Sequence, residues 1–182
     1  SLIINNLIHK IMACNISLGR LEGCKDSAGG LNAIYFVNFG AAGVMTTSDE
    51  TITEVANSGT DAYKYDLRGA STFEQSLTSS RENGTTFAEQ TLTVSLKKQD
   101  ATTHKEVKLL AYGRPHILIE DNNGDIWVMG EEFGAEMNAT TSTGASLGDK
   151  SGYELTFAAM EKGFAKKYEG TFATDFSVTL GA

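Results

Sequence analysis

Proline is almost missing from this chain, with Pro115 alone among 182 residues, while glycine occurs 19 times. That balance points to many turns and bends. Cysteine is nearly as scarce. Cys14 and Cys24 cannot build a disulfide scaffold or complete a four-ligand zinc pattern. One bridge between them remains open, although two reduced, partly buried thiols are the expected state of an intracellular product. Basic residues are in deficit, 15 against 23 acidic ones, for a formal net charge of −8. No basic footprint exists to hold phosphates by counterion release, so stable nucleic-acid binding is disfavoured. An acidic wall still allows a polyanion to pass without sticking, and it also favours solubility. Apolar runs are short, none approaching the roughly 18 to 20 residues that span a bilayer, so no membrane anchor is expected.

What is present is ordinary for a globular protein: 41% hydrophobic and 21% charged residues, in a length that suits one substantial core. The opening SLIINNLIHKI places Ile3, Ile4, Leu7, Ile8 and Ile11 at helix-like spacing but lacks the basic start and cleavage pattern of a signal peptide. Met12 reads as a natural start. Residues 1–11 are therefore set apart as an upstream extension, an added segment or a docking arm, and residues 12–182 are expected to form one domain.

Strand signals dominate. Leu31 to Phe39, LNAIYFVNF, is a buried strand bounded by Gly29, Gly30 and Gly40. Thr51 to Val55 is a short one, and Asn57-Ser58-Gly59 turns the chain into a further strand from Tyr63 to Leu67. Phe73 to Leu96 forms a long hairpin with the tip SRENG; its outer part, Glu74 to Glu89, is polar on both faces and is expected to protrude from the core. One helix is expected over ATTHKEVKLLAY, with Asp100 as N-cap, Val107, Leu110 and Ala111 on its apolar side, and Gly113 and Pro115 as its stop. HILIE, DNNGD and IWVMG make a strong hairpin, since Asn123-Gly124 suits positive φ. The remaining strands are expected at Phe133 to Asn138, Tyr153 to Ala158 and Phe172 to Leu180. The fold class is mainly β: an antiparallel β-sandwich or barrel with one flanking α-helix and a protruding hairpin.

Chemistry is sparse. His9, His104 and His116 lack partners at metal-ligand spacing, and surface or capping roles are expected for them. The adjacent acids Glu120-Asp121 and Glu131-Glu132 sit on turns rather than across a pocket and are expected to be solvated. Asp121 to Asp125 faintly resembles a calcium loop but is better explained as a turn. There is no G-x-S-x-G elbow, and Gly144 and Gly148 are not followed by the Lys-Ser/Thr of a phosphate loop. Trp127 is expected in the core. No catalytic, cofactor or metal residue is therefore assigned, and the chain is not expected to be an enzyme.

The segment from Gly130 to Gly163, GEEFGAEMNATTSTGASLGDKSGYELTFAAMEKG, reads as strand, glycine-punctuated loop, strand. Together with MACNISLGRLEGCKDSAGGLNAIYFVNFG and SSRENGTTFAEQTLTVSLKKQDATTHKEVKLLAYGRPHILIEDNNGD, it resembles tail tube proteins of bacteriophages, particularly a group from phages of gut Bacteroidetes. The resemblance covers Met12 to about Lys162. It implies a virion structural protein, made in the host bacterial cytoplasm and located in the tail. Copies would join into six-membered rings that stack as a hollow tube, meet other tail proteins and pass DNA during ejection. Edge strands would close the ring, so that exposed backbone groups are satisfied between subunits. Stacking would use two loops that order on contact: the hairpin tip Arg81, Glu82, Asn83 and Gly84, and the glycine-rich loop from Thr140 to Ser151, with Thr143, Gly144, Gly148 and Asp149. A capsid-decorating, head-completion or tail-terminator protein would share the β fold. A glycan-binding module would instead gather Trp127, Tyr63, Tyr65 and Tyr153 on one exposed face.

Overall fold

A computed structural model describes residues 16–181; the expected N-terminal arm, His9 and Cys14 lie outside them. Twelve strands form among the described residues: β1 Leu31–Val37, β2 Met45–Ser48, β3 Thr51–Val55, β4 Thr60–Asp66, β5 Thr72–Ser80, β6 Thr85–Lys97, β7 His116–Asp121, β8 Ile126–Met129, β9 Glu136–Ser142, β10 Gly152–Glu161, β11 Lys166–Tyr168 and β12 Phe176–Leu180. Helix α1 spans Ala101–Tyr112, and a single turn, α2, spans Phe172–Asp175. The strands build an eight-stranded sheet in the order β12-β4-β1-β7-β8-β11-β3-β2 and a four-stranded sheet in the order β5-β6-β10-β9. The expected mainly β, two-layer architecture with a flanking helix is what forms.

Period-two alternation explains the layering. On β1, Ile34 and Phe36 face a core shared with Ile117 and Ile119 of β7 and with Leu92, Val94, Leu155 and Phe157 of the small sheet. Ala33, Tyr35 and Val37 point the other way, into a second core with Leu118, Val128, Ile52, Ala62, Tyr168 and Phe176. The large sheet curls, so that β3 on one side and β4 and β12 on the other line this second core. Strands β1 and β7 are thus buried on both faces, which is why their sequences read as unbroken apolar runs. Each fully buried Leu or Phe here contributes on the order of 1.5–3 kcal/mol.

Several expectations need correction. The sheets are not wholly antiparallel: β12 runs parallel to β4, and β11 parallel to β3. β2 and β11 were not expected. The strand expected at Phe133 to Asn138 begins only at Glu136, because Gly130 and Gly134, at φ of 71° and 75°, close a turn over residues 131–133 first. The expected strand from Phe172 starts as the helical turn α2 and becomes strand at Phe176. β4 spans Thr60–Asp66 rather than Tyr63 to Leu67. On α1, Val107 is buried and Leu110 packs against the first core, but Ala111 is exposed; the helix touches the sheet along a narrower stripe than expected. Cys24 is an exposed thiol rather than a partly buried one. None of the helices among the described residues is long and apolar enough to cross a membrane.

Candidate functional site

The register of the small sheet fixes where the two expected contact loops lie. β6 pairs with β10 from Lys97 opposite Gly152 to Ala88 opposite Glu161. Beyond Ala88, β6 pairs only with β5, so residues 77–87 form a two-stranded ribbon that leaves the sheet. The protrusion is shorter than the expected Glu74 to Glu89, since Ala88 and Gln90 are buried. Arg81, Glu82, Asn83 and Gly84 form its exposed tip, with Gly84 at φ of 62° and Asn83 N–H donating to Ser80 Oγ at 3.3 Å. The loop between β9 and β10 lies past the opposite end of β6, beside Lys97 and Lys98. β6 has 13 residues, so the two loops are about 40 Å apart and point in opposite directions. The structure does not bring them together.

The Thr143–Ser151 loop is tied by its own bonds rather than left open for a partner to order. The Asp149 carboxylate accepts the N–H groups of Ala145 and Ser146 at 2.8 Å each, and those bonds hold its pKa below the usual carboxylate range. Gly144, at φ of 71°, brings the backbone close against Asp149; Gly148 has open space around it. Gln99 Nε2 donates to the Ser142 carbonyl at 2.8 Å and so fixes the loop base to the segment that starts α1. Asp100 caps that helix by accepting the Thr103 N–H at 2.7 Å, and the buried Tyr153 hydroxyl lies 2.6 Å from His104 Nδ1.

Among the described residues the small sheet buries one face, and no further layer covers the other. Exposed or half-buried on the outer face are Thr78, Thr91, Thr93, Thr140, Thr156, Asn138 and Ser142, with four carboxylates: Glu74, Glu89, Glu136 and Glu154. Lys150 bonds to Glu154, and Lys97 stands at the end of the face. Nothing in the sequence alone identified this face, because it emerges only once the register of four strands is known.

A buried polar hub supports the Gly130 turn. His116, expected at the surface, is buried instead. Its Nδ1 lies 2.6 Å from the Gly130 carbonyl, which can only accept, and its Nε2 lies 3.2 Å from the Gly40 N–H, which can only donate. The ring is therefore the neutral Nδ1–H tautomer. Burial pushes its pKa down, against an opposing pull from the Gly130 bond. Gln90 Oε1 accepts the Gly130 N–H at 3.2 Å. The buried Glu161 carboxylate accepts the N–H groups of Glu132 and Phe133 at 3.1 to 3.3 Å. Burial raises the Glu161 pKa, while those bonds and the neighbouring Glu132 and Glu131 charges pull in opposite directions.

The adjacent acids are less solvated than expected. Glu131 pairs with Lys166 at 3.1 Å, and Glu132 with Lys162 at 3.0 Å. Glu120 accepts the Tyr35 hydroxyl at 2.9 Å; burial first and this carboxylate second push the tyrosine pKa up to about 12. Asp121 spends its oxygens on the N–H groups of Asn123 and Asp125 and on Trp127 Nε1, which accounts for the turn without calcium. Among the described residues no group of three or more His, Cys, Asp or Glu side chains is placed to hold a metal. Trp127 is half-buried, not a core residue: Met129, two residues on, enters the first core on that face of β8, while the Trp127 indole N–H donates to Asp121. Tyr153 is buried and Tyr65 packs against the core, so the aromatic face of a glycan-binding module is not assembled.

Comparison with protein-family models, curated proteins and solved structures gave no match to this chain.

Proposed function

We propose that this chain is a virion structural protein whose copies form rings that stack into a phage tail tube. The observation that carries this reading is polarity: an exposed ribbon and a self-tied loop occupy opposite ends of one four-stranded sheet. A subunit with unlike ends suits head-to-tail, heterologous contact, the kind that repeats along an axis. The uncovered outer face, rich in threonine and carboxylate, suits a wall past which DNA moves without adhering. Edge strands β2, β5, β9 and β12 offer backbone donors and acceptors for closing a ring. Other virion tail proteins would cap the stack at its ends.

Negative-stain microscopy of the purified full chain tests the reading. Rings or tubes of uniform diameter are expected. Monomers persisting at high concentration across salt and pH would overturn it.

A further inference from the structure

We propose that the ribbon tip carries a site of spontaneous covalent change, at which Asn83 loses its side-chain amide to attack by the Gly84 nitrogen and becomes aspartate or isoaspartate. The inference needs only one copy of the chain, so it stands apart from the tube reading.

Asn-Gly occurs twice in the sequence, at Asn83-Gly84 and at Asn123-Gly124. In such a pair the glycine nitrogen can reach the asparagine Cγ, because no Cβ on the following residue hinders the approach. The new N–Cγ bond closes a succinimide ring as the Cγ–Nδ2 bond breaks, and the proton shed by the glycine nitrogen leaves with the amide as ammonia. Water then opens the ring at either carbonyl, leaving a normal aspartyl or an isoaspartyl linkage. No oxidant or cofactor is consumed.

Both pairs close hairpins, both glycines have positive φ, and all four residues are exposed, so neither glycine conformation nor burial separates them. Bonding does. Asn123 Oδ1 accepts the Ala28 N–H at 2.8 Å, and Asn123 Nδ2 donates to the Ala28 carbonyl at 2.9 Å. The nucleophile is held as well, since the Gly124 N–H donates to the Asp121 carbonyl at 3.1 Å. Ring closure there requires both ends of this clamp to open first. At the ribbon tip the Asn83 backbone N–H donates to Ser80 Oγ, but neither the Asn83 side-chain amide nor the Gly84 N–H has a hydrogen-bond partner among the described residues. Thr78 to Phe87 pair only with each other, so the tip can rearrange without moving a core strand.

The reaction alters the surface that the ribbon presents. Arg81 and Glu82 balance in charge there, and a new carboxylate at position 83 makes the tip acidic. The isoaspartyl form also inserts Cβ into the main chain of the turn. The clamp on Asn123 keeps both changes out of the hairpin whose strand β7 serves both cores.

Peptide mapping of the purified full chain tests this. Samples aged at pH 8 are digested in acid and read by mass spectrometry for replacement of NH by O, with the two linkages resolved against synthetic peptides. Conversion at Asn83 is expected to run roughly tenfold or more faster than at Asn123, equivalent to about 1.4 kcal/mol of barrier. Both linkages should form at position 83, and more slowly at pH 6, because the attacking nitrogen must shed its proton. In concentrated urea the two rates should agree within about twofold, since no local structure then holds either pair. Equal rates in the native chain, or no product at Asn83, overturn the inference. A gap that persists undiminished in urea also overturns it, by placing the cause in the flanking sequence. Aspartate without isoaspartate at position 83 overturns the succinimide route.

Discussion

The Nδ1–H of His116 donates to the carbonyl of Gly130 at 2.6 Å, and this bond joins the start of β7 to the turn that follows β8. With Nε2 accepting from Gly40, the neutral ring bridges two loops, and protonating it would replace an acceptor with a donor facing an N–H.

Stability should therefore fall in acid. The folded pKa of His116 is depressed below its ordinary value of 6.5, so the unfolded chain binds more protons in the window beneath 6.5. The contribution of His116 is fully present above that value and is lost as pH falls from it towards the folded pKa. Urea midpoints at pH 7.5 and 5.5 should drop further for the parent than for His116→Asn, which cannot titrate. Equal drops would show that other groups carry the acid sensitivity.

Glu161 carries the opposite sign. Its folded pKa is raised, so its stabilising term is fully present below the ordinary 4.5 and declines as pH rises through the folded pKa. Even so, Glu161→Ala at pH 7 should cost about 1–3 kcal/mol, because the N–H groups of Glu132 and Phe133 lose their acceptor. Glu161→Gln keeps an Oε1 for both donors and should cost less than half of that. Thermal unfolding of the two variants at pH 7 and pH 4.5 reads the difference.

Gly134 and Gly148 form a matched pair for substitution. At Gly134, φ is 75° and an added Cβ would collide with the Arg114 carbonyl, so Gly134→Ala should destabilise by about 2 kcal/mol or more. At Gly148 nothing lies within reach of an added Cβ, and Gly148→Ala should stay within about 0.5 kcal/mol of the parent. Chemical denaturation separates them.

On the tube reading proposed above, removing the ribbon should abolish stacking and spare the fold. Joining Leu77 to Ala88 through an Asn-Gly turn keeps the register in which those two residues face each other. Circular dichroism should match the parent, while microscopy shows rings or single subunits and no tubes. Tubes of normal length from this variant would remove the ribbon from the stacking contact.

Hairpins were legible because their turns carry chemistry: Asn123-Gly124 and Asn83-Gly84 place glycine where φ is positive. The burial of β1 was equally plain in its apolar run, whereas its division between two cores, shared with β7, shows only in the packing. β11 escaped notice because Lys166 and Lys167 pair outward with Glu131 and Asp125 and mask a strand held by β3 and β8. His116 looked like a surface residue because its partners, Gly40 and Gly130, contribute only backbone atoms. The two candidate loops were recognisable as loops, but their opposition depends on the pairing of β6 with β10, a relationship between residues more than 50 positions apart.

Strand β12 pairs in parallel with β4, joining Phe176 to Thr60 and Leu180 to Lys64 across more than 110 positions of chain. During synthesis, β4 must wait with one edge bare until residue 180 has cleared the ribosome, and closing so long a loop is slow. A nascent chain accordingly lacks the edge strand β12 that completes the large sheet beside β4. On the tube reading proposed above, in which β12 is one of the ring-closing edges, translation itself would act as a timer that keeps unfinished chains out of the assembly.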